Sequence, residues 1–318
     1  MKIKKLVVTT TFIVLAATTT FSITDATSRE MTKIVIQENK DSIDTNLPII
    51  AHRGFSSIEI ENSKEAIVAG FNQEYIDGVE IDIRLTQDEE IILSHDDTIN
   101  NKKICSTPLK DLQQETITFD NNISLYLGTL LDAKSGNLIR ERLKQIKNKK
   151  AKPITLKEAL DIHNEYNDKM LIVEIKYDDR DKNAFNDIIY SIINNHHKKN
   201  IIIQSSDYKA LINMKNKYPD LEYHLVTNEN NYDKIAKKDL DGYVIRKNLI
   251  NYDDVKELLK ENKKVSVWTI NTYQEYQETR SILKDLNEQV YYITDYPDAV
   301  RTWHNINEKT TAKQKVKR

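Results

Sequence analysis

The chain has 318 residues, with 47 Lys and Arg against 49 Asp and Glu and a formal net charge of -2. With 30% charged residues of both signs and no basic stripe interleaved with aromatics, it lacks the electrostatic footprint of a nucleic-acid binder. Its one cysteine, Cys105, excludes an intramolecular disulfide, and the length suffices for one large α/β barrel or two ordinary domains.

Lys2, Lys4 and Lys5 precede the apolar, Thr-rich run 6–23, and small residues follow at Ala26-Thr27-Ser28. This is the pattern of a secretory signal peptide over residues 1–26, with an uncleaved membrane anchor as the alternative. No cysteine follows the apolar run, which argues against a lipoprotein. Either way the expectation is a secreted or cell-surface protein. Residues 27–46 are polar apart from Ile34-Val35-Ile36 and are expected to be a linker or an outer strand.

The apolar run Leu47-Pro48-Ile49-Ile50-Ala51 ends in His52-Arg53-Gly54. Glu61-Asn62-Ser63 then leads into an amphipathic run over 64–71, where Asn or Ser can cap a helix. Gly78-Val79-Glu80-Ile81-Asp82-Ile83 alternates as a strand, so Glu80 and Asp82 share one face and Ile81 and Ile83 the other. Two carboxylates on one face repel unless a cation lies between them, and oxygen ligands favour Ca²⁺ or Mg²⁺ over Zn²⁺. A turn at Thr86-Gln87-Asp88-Glu89 separates this strand from the run 90–94, which ends in His95. A hairpin centred on Gln87-Asp88 places His95 opposite Glu80.

Residues 100–152 break the pattern and form an expected insertion that caps the barrel mouth; Cys105 within it has no nucleophile context. Met170-Leu171-Ile172-Val173 is a buried-strand run ending in Glu174-Ile175-Lys176. Glu174 can complete a carboxylate set with Glu80 and Asp82, while Lys176 and Arg53 can neutralise an anionic substrate. From there helical and strand-like runs alternate up to Val290–Thr294. That rhythm predicts an α/β fold, an irregular (β/α)8 TIM barrel over residues 47–303 with a small insertion after the second or third strand. The link between Ile83 and Glu90 is too short for a helix, so the irregularity is expected there. Residues 304–318 are polar and basic and are expected to form a flexible tail. His163, His196, His197, His224 and His304 have the surroundings of ordinary structural or surface histidines, and the adjacent pair His196-His197 does not face one ligand on a helix.

His-Arg-Gly, Glu-Asn-Ser, Gly-Val-Glu-Ile-Asp, Ser-His-Asp-Asp-Thr and Glu-Ile-Lys, in this order, resemble the motifs of the glycerophosphodiester phosphodiesterases. Pro153–Leu160, Val267–Asn271 and Ile293–Pro297 resemble later segments of the same family, so the resemblance covers about Leu47 to Trp303. It implies metal-dependent hydrolysis of a glycerophosphodiester to sn-glycerol 3-phosphate and an alcohol. Carried over by residue, it implies His52 and His95 as the acid/base pair, and Glu80, Asp82 and Glu174 as ligands of one divalent cation, Ca²⁺ or Mg²⁺. Arg53 and Lys176 become phosphate binders, Trp268 lines the glycerol pocket, and Glu61 orients His52 or Arg53. Which histidine is the acid, and whether water or the glycerol 2-hydroxyl attacks, stay open.

The chain departs from the family pattern in Ile60, where a Pro usually precedes Glu-Asn, in the absence of Gly from the turn after Asp82, and in the insertion. These departures bear on substrate choice. A phospholipase C or D on a similar barrel is the competing enzyme, and a poly(glycerol phosphate) of the teichoic-acid type is a competing substrate. A phosphatidylinositol-specific enzyme without metal has no use for all three carboxylates. A sphingomyelin-directed phospholipase D usually relies on disulfides, which one cysteine excludes. A non-catalytic binding protein on a decayed barrel is expected to have lost a histidine or a ligand, yet all are present. The implied partner is a small-molecule glycerophosphodiester or a cell-wall polymer; no protein partner is evident.

Overall fold

The computed structural model describes residues 47–118, 148–196 and 199–316. The expected signal peptide and linker over 1–46 lie outside the described residues, as does the middle of the insertion.

Eight parallel strands close into a barrel: β1 (Ile49–Ala51), β2 (Gly78–Leu85), β8 (Met170–Ile175), β9 (Ile201–Ser205), β10 (Glu222–Val226), β11 (Gly242–Arg246), β12 (Lys264–Trp268) and β13 (Val290–Thr294). Closure comes from β1, which pairs with β13 on one side and with β2 on the other. Side chains alternate across each strand. Ile50, Ile172, Ile202, Val226, Val244 and Ile293 meet inside the barrel. The intervening residues, such as Ile81, Ile83, Val173 and Ile203, join the larger core under the helices.

The helices are α1 (Lys64–Phe71), α2 (Leu109–Leu112), α3 (Leu156–His163), α4 (Lys182–Asn194), α5 (Tyr208–Lys217), α6 (Tyr252–Lys260), α7 (Tyr273–Leu283) and α8 (Pro297–Val316). Local chemistry starts most of them. Ser63, Asp181, Asp207 and Asn251 accept backbone N–H groups at the first turns of α1, α4, α5 and α6. Thr155 with Glu158 and Thr272 with Glu275 form capping boxes on α3 and α7. Each such cap stabilises its helix by about 1 kcal/mol.

The irregularity falls at the predicted place. β2 turns directly into an antiparallel strand, β3 (Ile91–Leu93), with no helix between. Its register corrects the expectation that His95 lies opposite Glu80. Ile83 pairs with Leu93 and Leu85 with Ile91, and the Ser94 amide donates to the Asp82 carbonyl. The turn is one residue longer than a two-residue hairpin, because Thr86 and Glu90 close it and Glu89 takes a left-handed φ of 62°. His95 therefore lies beyond the hairpin, in a bend at the rim.

The described part of the insertion contains a hairpin of β4 (Thr98–Ile99) and β5 (Lys102–Lys103), a 3-10 turn at Ile104–Ser106, helix α2, and the pair β6 (Ile117–Thr118) and β7 (Lys150–Ala151). Ile92, Ile99, Ile104 and Leu112 give this segment a small core of its own.

The C-terminal expectation is also corrected. Residues 304–316 continue helix α8, with His304 only 1% exposed. The buried Arg301 anchors this helix by donating to the carbonyls of Leu47 at 2.6 Å and Tyr75 at 3.2 Å. Trp303 packs against Tyr273 and Tyr276 of α7. Within the expected tail, His304 and Asn305 are buried at its start.

At the N-terminal end of the barrel, Glu222 accepts from Lys264 at 2.8 Å and pairs with His224 at 2.6 Å. The His224 ring occupies the space over Gly242, where a Cβ would come within 2.5 Å of it.

Candidate active site

The polar inward positions gather at the C-terminal ends of the strands. His52 and Arg53 follow β1; Glu80 and Asp82 are on β2; Glu174 is on β8, with Lys176 just after it. The parallel register sets Asp82 beside Glu174, and Glu174 beside Gln204 of β9. Ligand oxygens of Glu80, Asp82 and Glu174 all lie within 4.8 Å of one another, and the three residues are 1%, 1% and 8% exposed.

The chain after β1 bends sharply to deliver Arg53. Arg53 has φ 56° and Gly54 has φ 81°. A Cβ on Gly54 would lie 2.5 Å from the Ala66 carbonyl carbon, so this His-Arg-Gly position requires glycine. The Arg53 amide donates to Glu80 Oε2 at 3.0 Å. Its guanidinium Nη1 donates to both oxygens of Glu61 at 3.0 Å, and Nε lies 3.2 Å from Asp82 Oδ2. Glu61 thus orients Arg53, with no recorded bond to His52. Lys176 bridges Glu174 and Asp82, at 3.1 Å from Asp82 Oδ1.

Two side-chain amides hold the carboxylates. Asn62 donates to Asp82 Oδ2 and accepts the Asp82 amide, both at 2.9 Å. Gln204 donates to Glu174 Oε2 at 3.1 Å.

His52 Nδ1 lies 2.7 Å from Asp295 Oδ1, and its Nε2 lies 3.9 Å from Glu80 Oε2. Asp295 also accepts from Ser56 at 3.1 Å and from Asn271 at 2.5 Å. His95 is more open, at 38% side-chain exposure, and its Nδ1 lies 2.9 Å from Asp96 Oδ1. It makes no direct bond to the carboxylates, yet it is near enough for its charge to lower the Asp82 pKa. Trp268 ends β12, packed against the apolar barrel interior.

The charges are strongly coupled. Burial, and then the charge of Asp82, push the Glu80 carboxyl up to about 8. Burial acts the same way on Asp82, but Arg53 and Lys176 outweigh it and hold this carboxyl well below the usual range. Burial lowers His52, as does Arg53, but Asp295 and Glu80 overcome them and raise the imidazole above its ordinary value. Burial and mutual repulsion thus oppose three negative charges in this cluster unless positive charge is brought between them. Glu80 Oε1 is buried with no hydrogen-bond partner. A buried oxygen without a donor, in an all-oxygen cluster, suits a hard divalent cation.

The carboxylate set, Arg53, Glu61, Lys176 and His52 converge as the sequence suggested; His95 and Trp268 stand at the rim. Asn62, Gln204, Asn271 and Asp295 were missed as functional residues. Their signal was an inward-facing polar residue next to an apolar strand run, as in Ile201–Ser205 and Val290–Asp295, or, for Asn62, the motif position beside Glu61.

Residues 52–299 match the family model of the Glycerophosphoryl diester phosphodiesterase family. An uncharacterised protein, MG293 of Mycoplasma genitalium, is 28% identical over 167 residues, which are 51% of this chain and 60% of that protein. A phosphodiesterase from Oleispira antarctica, solved in complex with the product sn-glycerol-3-phosphate, is 23% identical with a TM-score of 0.60, over 81% of this chain and 97% of that one. The glycerophosphodiester phosphodiesterase of Thermotoga maritima is 22% identical with a TM-score of 0.56, over 81% and 98%. With 52–299 matched and the same closed barrel underneath, the chain belongs to the glycerophosphoryl diester phosphodiesterase family, a phosphodiesterase on an irregular TIM barrel.

Proposed function

We propose that this chain hydrolyses glycerophosphodiesters to sn-glycerol 3-phosphate and an alcohol, using one divalent cation and a pair of histidines. The observation that carries the reading is the buried Glu80/Asp82/Glu174 cluster flanked by the His52–Asp295 couple at the barrel mouth. Ca²⁺ or Mg²⁺ held by these three carboxylates would supply electrophilic stabilisation of the phosphoryl oxygens. Arg53 and Lys176, which pair with carboxylates of the cluster, would bind the phosphate where those carboxylates hold a cation. Glu61 keeps the Arg53 fork aimed at the site.

His52 is the general base. Asp295 holds its Nδ1, which leaves Nε2 to take the proton of the attacking hydroxyl, whether from water or from the substrate's own 2-hydroxyl. His95, at the rim, gives its proton to the oxygen of the departing alcohol. If water attacks, the two transfers add one water across the phosphorus–oxygen bond; if the 2-hydroxyl attacks, they release the alcohol and leave a cyclic phosphodiester, which one water then opens to sn-glycerol 3-phosphate with the proton transfers reversed. Trp268 flanks the glycerol moiety. The Lys-rich start and apolar run of the chain suit an enzyme that works outside the cell or at its surface.

The test is turnover of glycerophosphocholine and of poly(glycerol phosphate) with Ca²⁺, with Mg²⁺ and with excess chelator. Release of sn-glycerol 3-phosphate that depends on added metal is expected. Full turnover in chelator, with metal absence verified, overturns the metal-dependent reading.

A further inference from the structure

Of the two histidines, His95 has the weaker seat. The β2–β3 ladder reaches as far as the pair Ile83–Leu93, and the Ser94 amide still bonds the Asp82 carbonyl. His95 stands one residue past that bond, in a bend. Its imidazole is 38% exposed, and the carboxylate that meets its Nδ1, that of Asp96, is more exposed still. A general acid must nevertheless stay within hydrogen-bond reach of one leaving oxygen. The backbone that carries it therefore needs an anchor.

Arg84 has the geometry of that anchor. It lies two residues past Asp82 on β2, so strand alternation puts Glu80, Asp82 and Arg84 on one face, while Ile83 and Leu85 are buried in the core behind. The Arg84 backbone is itself fixed in the ladder, opposite Ile92. From there its guanidinium donates twice to the His95 carbonyl, through Nε at 3.0 Å and Nη2 at 2.6 Å. Two donors from one rigid plane fix a direction as well as a distance, which a single ammonium does not. The strand end beneath is braced in turn. Arg180 donates to the carbonyls of Leu85 at 2.5 Å and Thr86 at 2.7 Å, and it forks onto Asp178. One strand thus carries two of the three clustered carboxylates and also grips the segment that carries His95.

Resting on the function proposed above, we propose that Arg84 is a positioning residue for the general acid. Its fork on the His95 carbonyl holds the imidazole in a fixed relation to the carboxylate cluster, and so to the oxygen of the departing alcohol. Misplacing a reacting group by about 1 Å costs on the order of a hundredfold in rate. Loss of the fork should be felt only where the departing oxygen needs a proton.

The full chain with its metal is tested in two variants. Arg84→Met keeps an unbranched stem without donors, and Arg84→Lys keeps the charge without the fork. Arg84→Met should lower kcat on glycerophosphocholine by about tenfold to a hundredfold, but by less than about threefold on the nitrophenyl ester of glycerophosphate, whose leaving oxygen needs no proton. In a His95→Ala background the same change should cost less than about threefold, because residues that act as a unit are not additive. Arg84→Lys should fall between the parent and Arg84→Met. An equal loss on both esters, the full loss repeated in the His95→Ala background, or an Arg84→Lys enzyme as fast as the parent overturns the proposal. A second readout is independent of turnover. The NMR order parameter of the His95 amide should fall from about 0.85 to below about 0.6 in Arg84→Met, while that of Ile92 stays unchanged. An unchanged value at His95 overturns the anchor. A parent protein that turns over neither ester removes the proposed function instead, and the order parameters still decide whether Arg84 holds His95.

Discussion

Replacing Asp295 with Asn tests the arrangement at its least obvious point. Asp295 Oδ1 lies 2.7 Å from His52 Nδ1, and Oδ2 accepts from Asn271 at 2.5 Å. When His52 takes a proton, it becomes a cation beside this carboxylate. At 2.7 Å and an effective dielectric of about 20, the attraction is about 6 kcal/mol. Arg53 and neighbouring dipoles offset part of it, leaving about 3–5 kcal/mol to be lost in the transition state. An asparagine adds a geometric cost. It has one oxygen and one NH₂, so one of its two faces sets a donor against a donor, either His52 Nδ1–H or the Asn271 amide. Asp295→Asn should therefore lower kcat by about a hundredfold to ten-thousandfold, at 1.36 kcal/mol per decade. The KM for glycerophosphocholine should change less than kcat, because Asp295 bonds neither Arg53 nor Lys176 and acts on Arg53 only through its charge. Circular dichroism should show an unchanged barrel. A variant with kcat within threefold of the parent would show that Asp295 does not hold the base, and the role given to His52 would fall with it.

Three further outcomes follow from other parts of the molecule. His95→Ala should lower turnover on a poor leaving alcohol by about a hundredfold or more, and a nitrophenyl leaving group should restore most of it; failure of that rescue removes His95 as the general acid. Gln204 is 2% exposed and holds Glu174 at 3.1 Å, so Gln204→Leu should weaken Ca²⁺ or Mg²⁺ binding about tenfold to a hundredfold by calorimetry without unfolding the chain, and an unchanged affinity refutes the positioning role. Glu222 is opposed by burial, but the hydrogen bond and charge of His224, with Lys264, bring it down to about 2 from an ordinary 4.5, so its stabilising contribution is present above pH 4.5 and fades as pH falls towards 2. Discounted for partial exposure, Glu222→Gln should cost about 1–2 kcal/mol at neutral pH and close to nothing at pH 2, and a gap that stays constant across acid denaturation curves counts against this reading.

Much of the catalytic inventory was legible because it depends on local rules. Two residues apart on a strand means one face, which united Glu80 with Asp82 and Glu174 with Lys176 before any fold was known. Alternating helical and strand runs predicted the barrel, and the short link after Ile83 located its irregular corner. The sequence was weaker wherever a turn or a helix end decided the outcome. The left-handed Glu89 lengthened the hairpin turn and moved His95 off the register with Glu80. The helix begun by Pro297 ran on through the polar C-terminal segment, with His304 and Asn305 buried at its start.

What only the tertiary structure decided is how distant strands meet. His52 and Asp295 are 243 residues apart, and they touch because β13 closes the barrel against β1. Gln204 reaches Glu174 through the pairing of β8 with β9, and Asn62 clamps Asp82 from a loop after β1. By itself, the chain determined which chemical groups stand at strand ends, since strand alternation is a property of the backbone. The closed ring determined which of those groups are partners, since ring closure depends on contacts between segments that no local spacing encodes.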